Sequence, residues 1–387
     1  MNTVQLGAVA SVFNGKTPSK DEQRELGHPV LKIKDVSENG SFRGKFSGFV
    51  DESLASKYQA KWISPGDTLI LNAAHNADYV ASKSYLATEA VAGALPTGEW
   101  AVVRPDPAKL LPKYCHYWLR SEPASRAIKF LVKGIHLYPK DMATLAIRVP
   151  NLVEQRRIVD LLSRAENIVR MRQEAEGKAK EIIPALFLDM FGDPATNPRG
   201  WDTEPLGAVG ALDRGRSRNR PRDAPNLYGG PYPLVQTGDI ARAGGVISKF
   251  DQTYSEAGLE QSRLWPTGTL CITIAANIAE SAVLGFDACF PDSVVGFLPR
   301  VGVQTEYIQQ WLNFLRPTLA AQAPQAAQKN INLAILRSLK VGIPPASSQE
   351  KFAKRVTEIR AIQTSQASAS ALGVKAFRSL LEQLFRG

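Results

Sequence analysis

The sequence is poor in sulfur and histidine: among its 387 residues are three cysteines, four methionines and four histidines. Cys115, Cys271 and Cys289 are odd in number and sit at no spacing that suits a disulfide framework or a zinc site. They read as buried or incidental thiols in a reducing cytoplasm. His28, His75, His116 and His136 form no HExxH pattern and do not cluster with cysteine, which argues against a metal centre. No apolar run reaches the roughly 18 residues that could cross a bilayer. The opening MNTVQLGAVASVFNG lacks the basic and apolar regions of a signal peptide. There is no GxxxxGK(S/T) loop to cradle a triphosphate. Nor is there an Asn/Asp-Pro-Pro-aromatic tetrapeptide, which an adenine amino-methyltransferase would need to hold a flipped base; FGDP and TNP lack the second proline. Glu176-Gly177-Lys178 resembles the tail of a nuclease motif, but it has no acidic partner upstream and reads as a solvated helix face. No catalytic constellation emerges, so a non-enzymatic role is expected.

What the chain does have is positive charge and repetition. Its formal net charge is +10, with a sequence pI near 9.4. Such an excess favours a polyanion as partner, and nucleic acid before membrane, because no basic amphipathic helix with a bulky apolar face stands out. PNLVEQRRIVDLL, from Pro150, leads into a helical stretch ending ALFLDMFGD, and PPASSQEKFAKRV, from Pro344, leads into one ending SLLEQLFRG. Pro150 matches Pro344, Gln155 matches Gln349 and Phe191 matches Phe385, each 194 residues apart. That spacing is half the chain, so one unit is used twice, which suits a target that is itself two-part.

Four blocks follow: residues 1–150, 151–192, 193–345 and 346–387. The first is rich in Gly, Pro, β-branched and aromatic residues in short runs such as HPVLKIKDV and GDTLILNAA, which read as strands between turns. Within it, residues 112–132 have helical spacing, with Tyr114, Trp118, Ile128 and Leu131 inward. The second block places Ile158, Leu162, Ala165, Val169, Ala179, Ile183, Leu186 and Met190 at heptad-like steps, apart from a polar gap at Arg172 and Glu176. A helix over 152–191 is predicted, about 60 Å long, capped by Gly192 and stopped by Pro194 and Pro198. The third block repeats the first: Leu6-Gly7 returns as Leu206-Gly207, Thr68-Leu69 as Thr269-Leu270, Tyr114 and Trp118 as Tyr307 and Trp311. The fourth repeats the helix, with Phe352, Val356, Ile359, Phe377, Leu380 and Leu384 on its seam. Its middle, Gln363, Gln366 and Ser370, is polar, so it packs loosely or forms a polar contact. The fold class is α+β: two mixed α/β globular domains, each followed by a long helix. Two helices of matched length in one chain most simply pair with each other as a coiled coil; the alternative is that each folds back on its own domain.

Three kinds of segment can touch DNA. The run DRGRSRNRPRD presents Arg214, Arg216, Arg218, Arg220 and Arg222 at every second position, suited to phosphates or to the O6/N7 edge of guanine. The corresponding early loop, GKTPSKDEQR, offers Lys16, Lys20 and Arg24; either run can instead be a solvated loop. A second kind follows the central strand, with Asn72, His75, Asn76 and Lys83 in one half and Asn277 in the other. Asparagine pairs bidentately with adenine, but it also forms turns. The third kind precedes each long helix, with Lys133, His136 and Lys140 in one half and Gln328, Lys329 and Asn330 in the other.

The stretch VPNLVEQRRIVDLLSRAENIVRMRQ, continuing through ALFLDMFGDPATNPRGW, resembles the central region of specificity subunits of type I restriction–modification enzymes. Pro150, Glu154, Gln155, Arg156, Arg157, Ile158, Phe191, Gly192, Asp193, Pro194, Asn197, Pro198, Gly200 and Trp201 carry the likeness. The second copy, SSQEKFAKR, keeps Gln349 but not the double arginine. The resemblance implies two target-recognition domains spaced by an antiparallel pair of helices and reading a bipartite site in double-stranded DNA. It also implies docking of two methyltransferase subunits through the helices, with contacts at Glu154, Gln155, Arg156, Arg157 and Gln349, and two motor–nuclease subunits. S-adenosylmethionine, ATP and magnesium would be bound by those partners and no cofactor by this chain. The rivals are a restriction or modification enzyme with its own catalysis, and a free-standing DNA-binding or scaffold protein.

Overall fold

Two short runs, each flanked upstream by a proline and a glycine, organise the molecule: Thr68–Leu71 and Leu270–Thr273, every residue of which is buried. A run buried on both faces needs a layer above and below it, and the side chains of each strand alternate between two apolar clusters. The computed structural model describes residues 2–218, 221–275, 279–322 and 332–386. They form two compact units, Met1–Gln173 with Ser368–Gly387, and Glu174–Ala367.

In the first unit the central sheet is antiparallel throughout, in the order Ala10–Asn14, Trp100–Pro105, Thr68–Leu71, Ser84–Leu86. Ile70, Ala101 and Val103 face a cluster completed by the helices Pro112–Leu119 and Glu122–Leu131. Leu69, Trp100 and Val102 face a second cluster that includes Leu31, Ile63 and Tyr85. Asn2–Gln5 pairs antiparallel with Ala146–Val149, closing the domain just before the first long helix. Tyr114, Trp118 and Ile128 are buried as expected, but 112–132 is two helices with Pro123 in the first turn of the second.

The second unit has a five-stranded sheet, ordered Gly210–Arg214, Val294–Pro299, Leu270–Thr273, Ser281–Leu284, Val246–Ile247, with only the last pair parallel. Leu270, Ile272, Val295 and Phe297 face one cluster and Cys271 and Val294 the other. Thr203–Pro205 pairs with Lys340–Gly342 as the closing ribbon. The two halves share their anchoring bonds: Leu6 N–H donates to Leu145 O and Leu206 N–H to Leu339 O, both at 2.8 Å. Tyr114 hydroxyl donates to Arg148 O and Tyr307 hydroxyl to Gly342 O.

The second long helix runs unbroken over Ala346–Phe385. The first does not: it is Leu152–Ala179 and then Ile182–Phe191. Pro184 explains the correction, because it has no N–H for the Lys180 carbonyl and its ring crowds that oxygen. Lys180 and Glu181 bond three residues back instead of four. In the first unit Ile158 and Leu162 share a cluster with Phe377, Leu381 and Phe385, and Arg172 donates to Ala369 O at 2.8 Å. In the second unit Phe187 and Phe191 pack on Phe352. There Gln363 donates to Ala179 O at 2.6 Å, the polar contact foreseen for the middle of that helix. One helix advances as the other retreats, so they pair antiparallel. Both sequence alternatives therefore hold at once: the helices pair, and each also covers a domain.

Candidate nucleic-acid interface

Each domain hangs its loops from the same posts. Gly15 N–H donates to Trp100 O and Lys16 N–H to Pro96 O; Gly215 N–H donates to Val294 O and Arg216 N–H to Phe290 O. A Cβ on Gly15 would sit 2.1 Å from Pro96 O, and one on Gly215 would sit 2.2 Å from Phe290 O, so only glycine allows this approach. Beyond the central strand, Asn72 N–H donates to Glu99 O and Ile274 N–H to Ser293 O. Ala81 and Ala279, both at positive φ near 60°, return their N–H groups to Leu71 O and Thr273 O.

In the first domain three loops converge. Asn72 donates from Nδ2 to Asn14 Oδ1 at 2.8 Å and accepts Leu137 N–H on its carbonyl at 2.7 Å. Ala73 bridges to His136. The result is an open cleft lined by Asn14, Thr17, Asn72, Glu99, His136 and Tyr138. Of the residues singled out in the sequence, Asn72 and His136 meet here. Lys16 lies nearby on the same loop as Thr17, its ammonium over the Tyr58 ring at 5.6 Å. Lys20, His75 and Lys140 are exposed, with the His75 ring against Tyr79 at 5.0 Å. Asn76 is exposed but takes the turn role, its Oδ1 accepting from Asp78 N–H. Lys133 is exposed and ion-paired with Asp141 at 2.7 Å.

Three assignments are corrected. Lys83 is buried, its ammonium held by Glu38 at 2.7 Å and by Val36 O, so it anchors the loop from inside rather than facing DNA. Gln155 and Gln349 are fully buried clamps, not partner contacts. Gln155 accepts from Leu111 N–H and donates to Lys109 O and Pro150 O; Gln349 accepts from Gln304 N–H and donates to Pro344 O. Arg156 and Arg157 are exposed, and Glu154 accepts both Arg157 Nε and Nη2, which hold its carboxyl below the usual range.

In the second domain Arg214, Arg216 and Arg218 are exposed while their backbone is fixed: Arg218 N–H donates to Gln261 Oε1, and Arg216 O accepts from Ser262. Arg222 is ion-paired with Asp292 at 2.9 Å. Arg220, Asn277, Gln328, Lys329 and Asn330 lie outside the described residues. Among the described residues no three His, Cys, Asp or Glu side chains gather as a metal site requires, and no helix is long and apolar enough to cross a membrane. All three cysteines are free and buried.

The FGDP…NP.GW motif is a structural staple. Gly192 turns at φ 81°, Asn197 holds both backbone groups of Trp201 at φ 44°, and Trp201 Nε1 donates to Phe191 O. Asn14 and Glu99 were missed in the sequence. Aligning FNGK with DRGR gives Asn14, but Glu99 arrives only through sheet register.

Residues 1–178 and 198–369 match the family described as the Type I restriction modification DNA specificity domain. The chain belongs to this family. A protein of Methanocaldococcus jannaschii described as the specificity subunit of the type I restriction enzyme MjaX is 20% identical over 380 residues, covering 92% of this chain and 85% of that one. A solved chain from a study of complex assembly and conformational transition in a type I restriction–modification system matches at TM-score 0.63 and 18% identity, over 100% of this chain and 97% of that chain. The type I S subunit of M. genitalium matches at TM-score 0.54 and 14% identity, over 100% and 96%. At these identities the solved structures speak to the fold. In this chain each of the two matched stretches holds a closing ribbon followed by the start of a long helix, and the family's work is DNA recognition.

Proposed function

We propose that this specificity subunit reads a bipartite site in double-stranded DNA, one half per domain, and catalyses nothing itself. Its long helices dock two methyltransferase subunits, and two motor–nuclease subunits complete the restriction complex. S-adenosylmethionine, ATP and magnesium are held by those partners, and the assembly works in the cytoplasm. The observation that carries this reading is the loop frame present in both domains, kept bond for bond while the side chains mounted on it differ. Two matched frames with unlike linings suit two unlike half-sites. Docking through the helices is supported by Leu161, Ile168 and Met171, exposed along one side of the first long helix and off the face that carries Ile158 and Leu162. A two-fold pseudo-repeat in one chain also suits two copies of one partner.

The test is methylome sequencing of the host with and without the gene. Loss of adenine methylation at one two-part motif with a fixed gap is expected. An identical set of modified motifs in both strains would remove the role.

A further inference from the structure

Resting on that DNA-reading role, we infer that the cleft of about 280 Å³ in the first domain is a base-edge reader, with Glu99, Asn14 and Asn72 as its specificity-determining residues. Asn72 is buried and its backbone is pinned on both sides, by Glu99 O and Leu137 N–H. Its amide nitrogen is spent on Asn14, whereas its Oδ1 has no partner among the described residues. A buried acceptor left unmet is costly, so such a group on the wall of a cleft suits an incoming donor. Glu99 adds a second acceptor: its half-buried carboxylate takes only a long bond from the Thr17 hydroxyl, at 3.4 Å, among the described residues. A carboxylate repels phosphate and the O6/N7 edge of guanine, but accepts from an exocyclic amine. The matching ligand is therefore the major-groove amino group of cytosine or adenine.

The second domain supplies an independent argument. Backbone bonds place Ser293 where Glu99 stands, Ile274 where Asn72 stands and Arg214, just before Gly215, where Asn14 stands. Residues that merely held the frame would be kept with it. Instead the lining turns from acceptors to an exposed guanidinium that has no partner among the described residues, a group suited to guanine. The same seat thus selects opposite edge chemistries in the two domains.

The experiment is selection of the full-length chain on a randomised duplex library, sequenced for wild type, Glu99→Gln and Arg214→Gln. Glutamine keeps the shape of Glu99 but both donates and accepts. Glu99→Gln is expected to relax the preference at one position of one half-site by about 10-fold or more, leaving the other half and the salt slope unchanged. Arg214→Gln, at an exposed position, is expected to act only on the other half-site. Variants that select the wild-type sequence undiminished, or weaken all sequences uniformly, overturn the assignment alone. A wild-type chain that selects no sequence overturns the DNA-reading role, and this assignment with it.

Discussion

His116 is buried beneath the first sheet, its Nδ1 3.5 Å from the Thr68 hydroxyl. Burial, and then the charge of Arg120, push its pKa down to about 3. In the unfolded chain a histidine titrates near about 6.5. Between those values the unfolded state binds a proton that the folded state refuses. Stability is therefore expected to fall as pH drops below about 6.5, by about 1.4 kcal/mol per pH unit. The second domain has Gln309 at the equivalent place, so His116→Gln should fold and flatten this dependence. Urea midpoints measured between about pH 7 and about pH 5 decide it, and an unchanged slope refutes it. Residue type was legible in the sequence at such positions; burial was not. Asn72 and His136, drawn from separate loops, line one cleft. Lys83 was misplaced because nothing local distinguishes a lysine aimed at Glu38 from one aimed at phosphate. Gln155 and Gln349 repeat for the sake of backbone groups at helix starts, which a motif alone does not separate from a docking surface.

Among elements, the long helices were the most legible, because a seven-residue apolar rhythm depends only on local geometry. Every seam position read from the first helix, from Ile158 to Met190, is buried or half-buried. The break at 180–181 was equally present in the sequence, as Pro184, and apolar periodicity masked it. Short strands were legible as runs but not as partners, and that is why Glu99 went unseen. It reaches Asn72 because Leu71 pairs with Trp100 across the sheet. The helix faces also carry a charge inversion. Glu166 accepts from Arg120 Nη1 at 2.6 Å and from the Tyr117 hydroxyl at 2.8 Å. At the matching position of the second helix stands Arg360, which donates to Gln309 at 2.6 Å. Each helix therefore suits its own domain. Glu166→Arg is expected to cost about 1 kcal/mol, a modest figure because the pair is partly exposed. Adding Arg120→Glu should recover most of it. Strictly additive losses in thermal melts of the two single variants and the double would show that no such matching exists.

For the whole molecule, the sequence duplication is now resolved into parts that repeat for different reasons. Gly15 and Gly215, Ala81 and Ala279, Tyr114 and Tyr307 repeat because they build the frame. Asn14 and Arg214, Glu99 and Ser293 differ because they occupy it. The chain passes from one unit to the other within both long helices, after Gln173 and after Ala367. These are the places where length can change without touching either loop frame. Because the helices pair antiparallel, an insertion in one must be matched in the other to keep the seams in register. Seven residues added at both points preserve the heptad phase and lengthen each helix by about 10.5 Å, or roughly three base pairs of duplex. If the helices set the gap, methylation should move to a motif with both half-sites unchanged and about three more base pairs between them. Methylome sequencing of a strain carrying only the lengthened gene reads this directly. An active protein that still marks the original gap would mean that the helices do not measure the site.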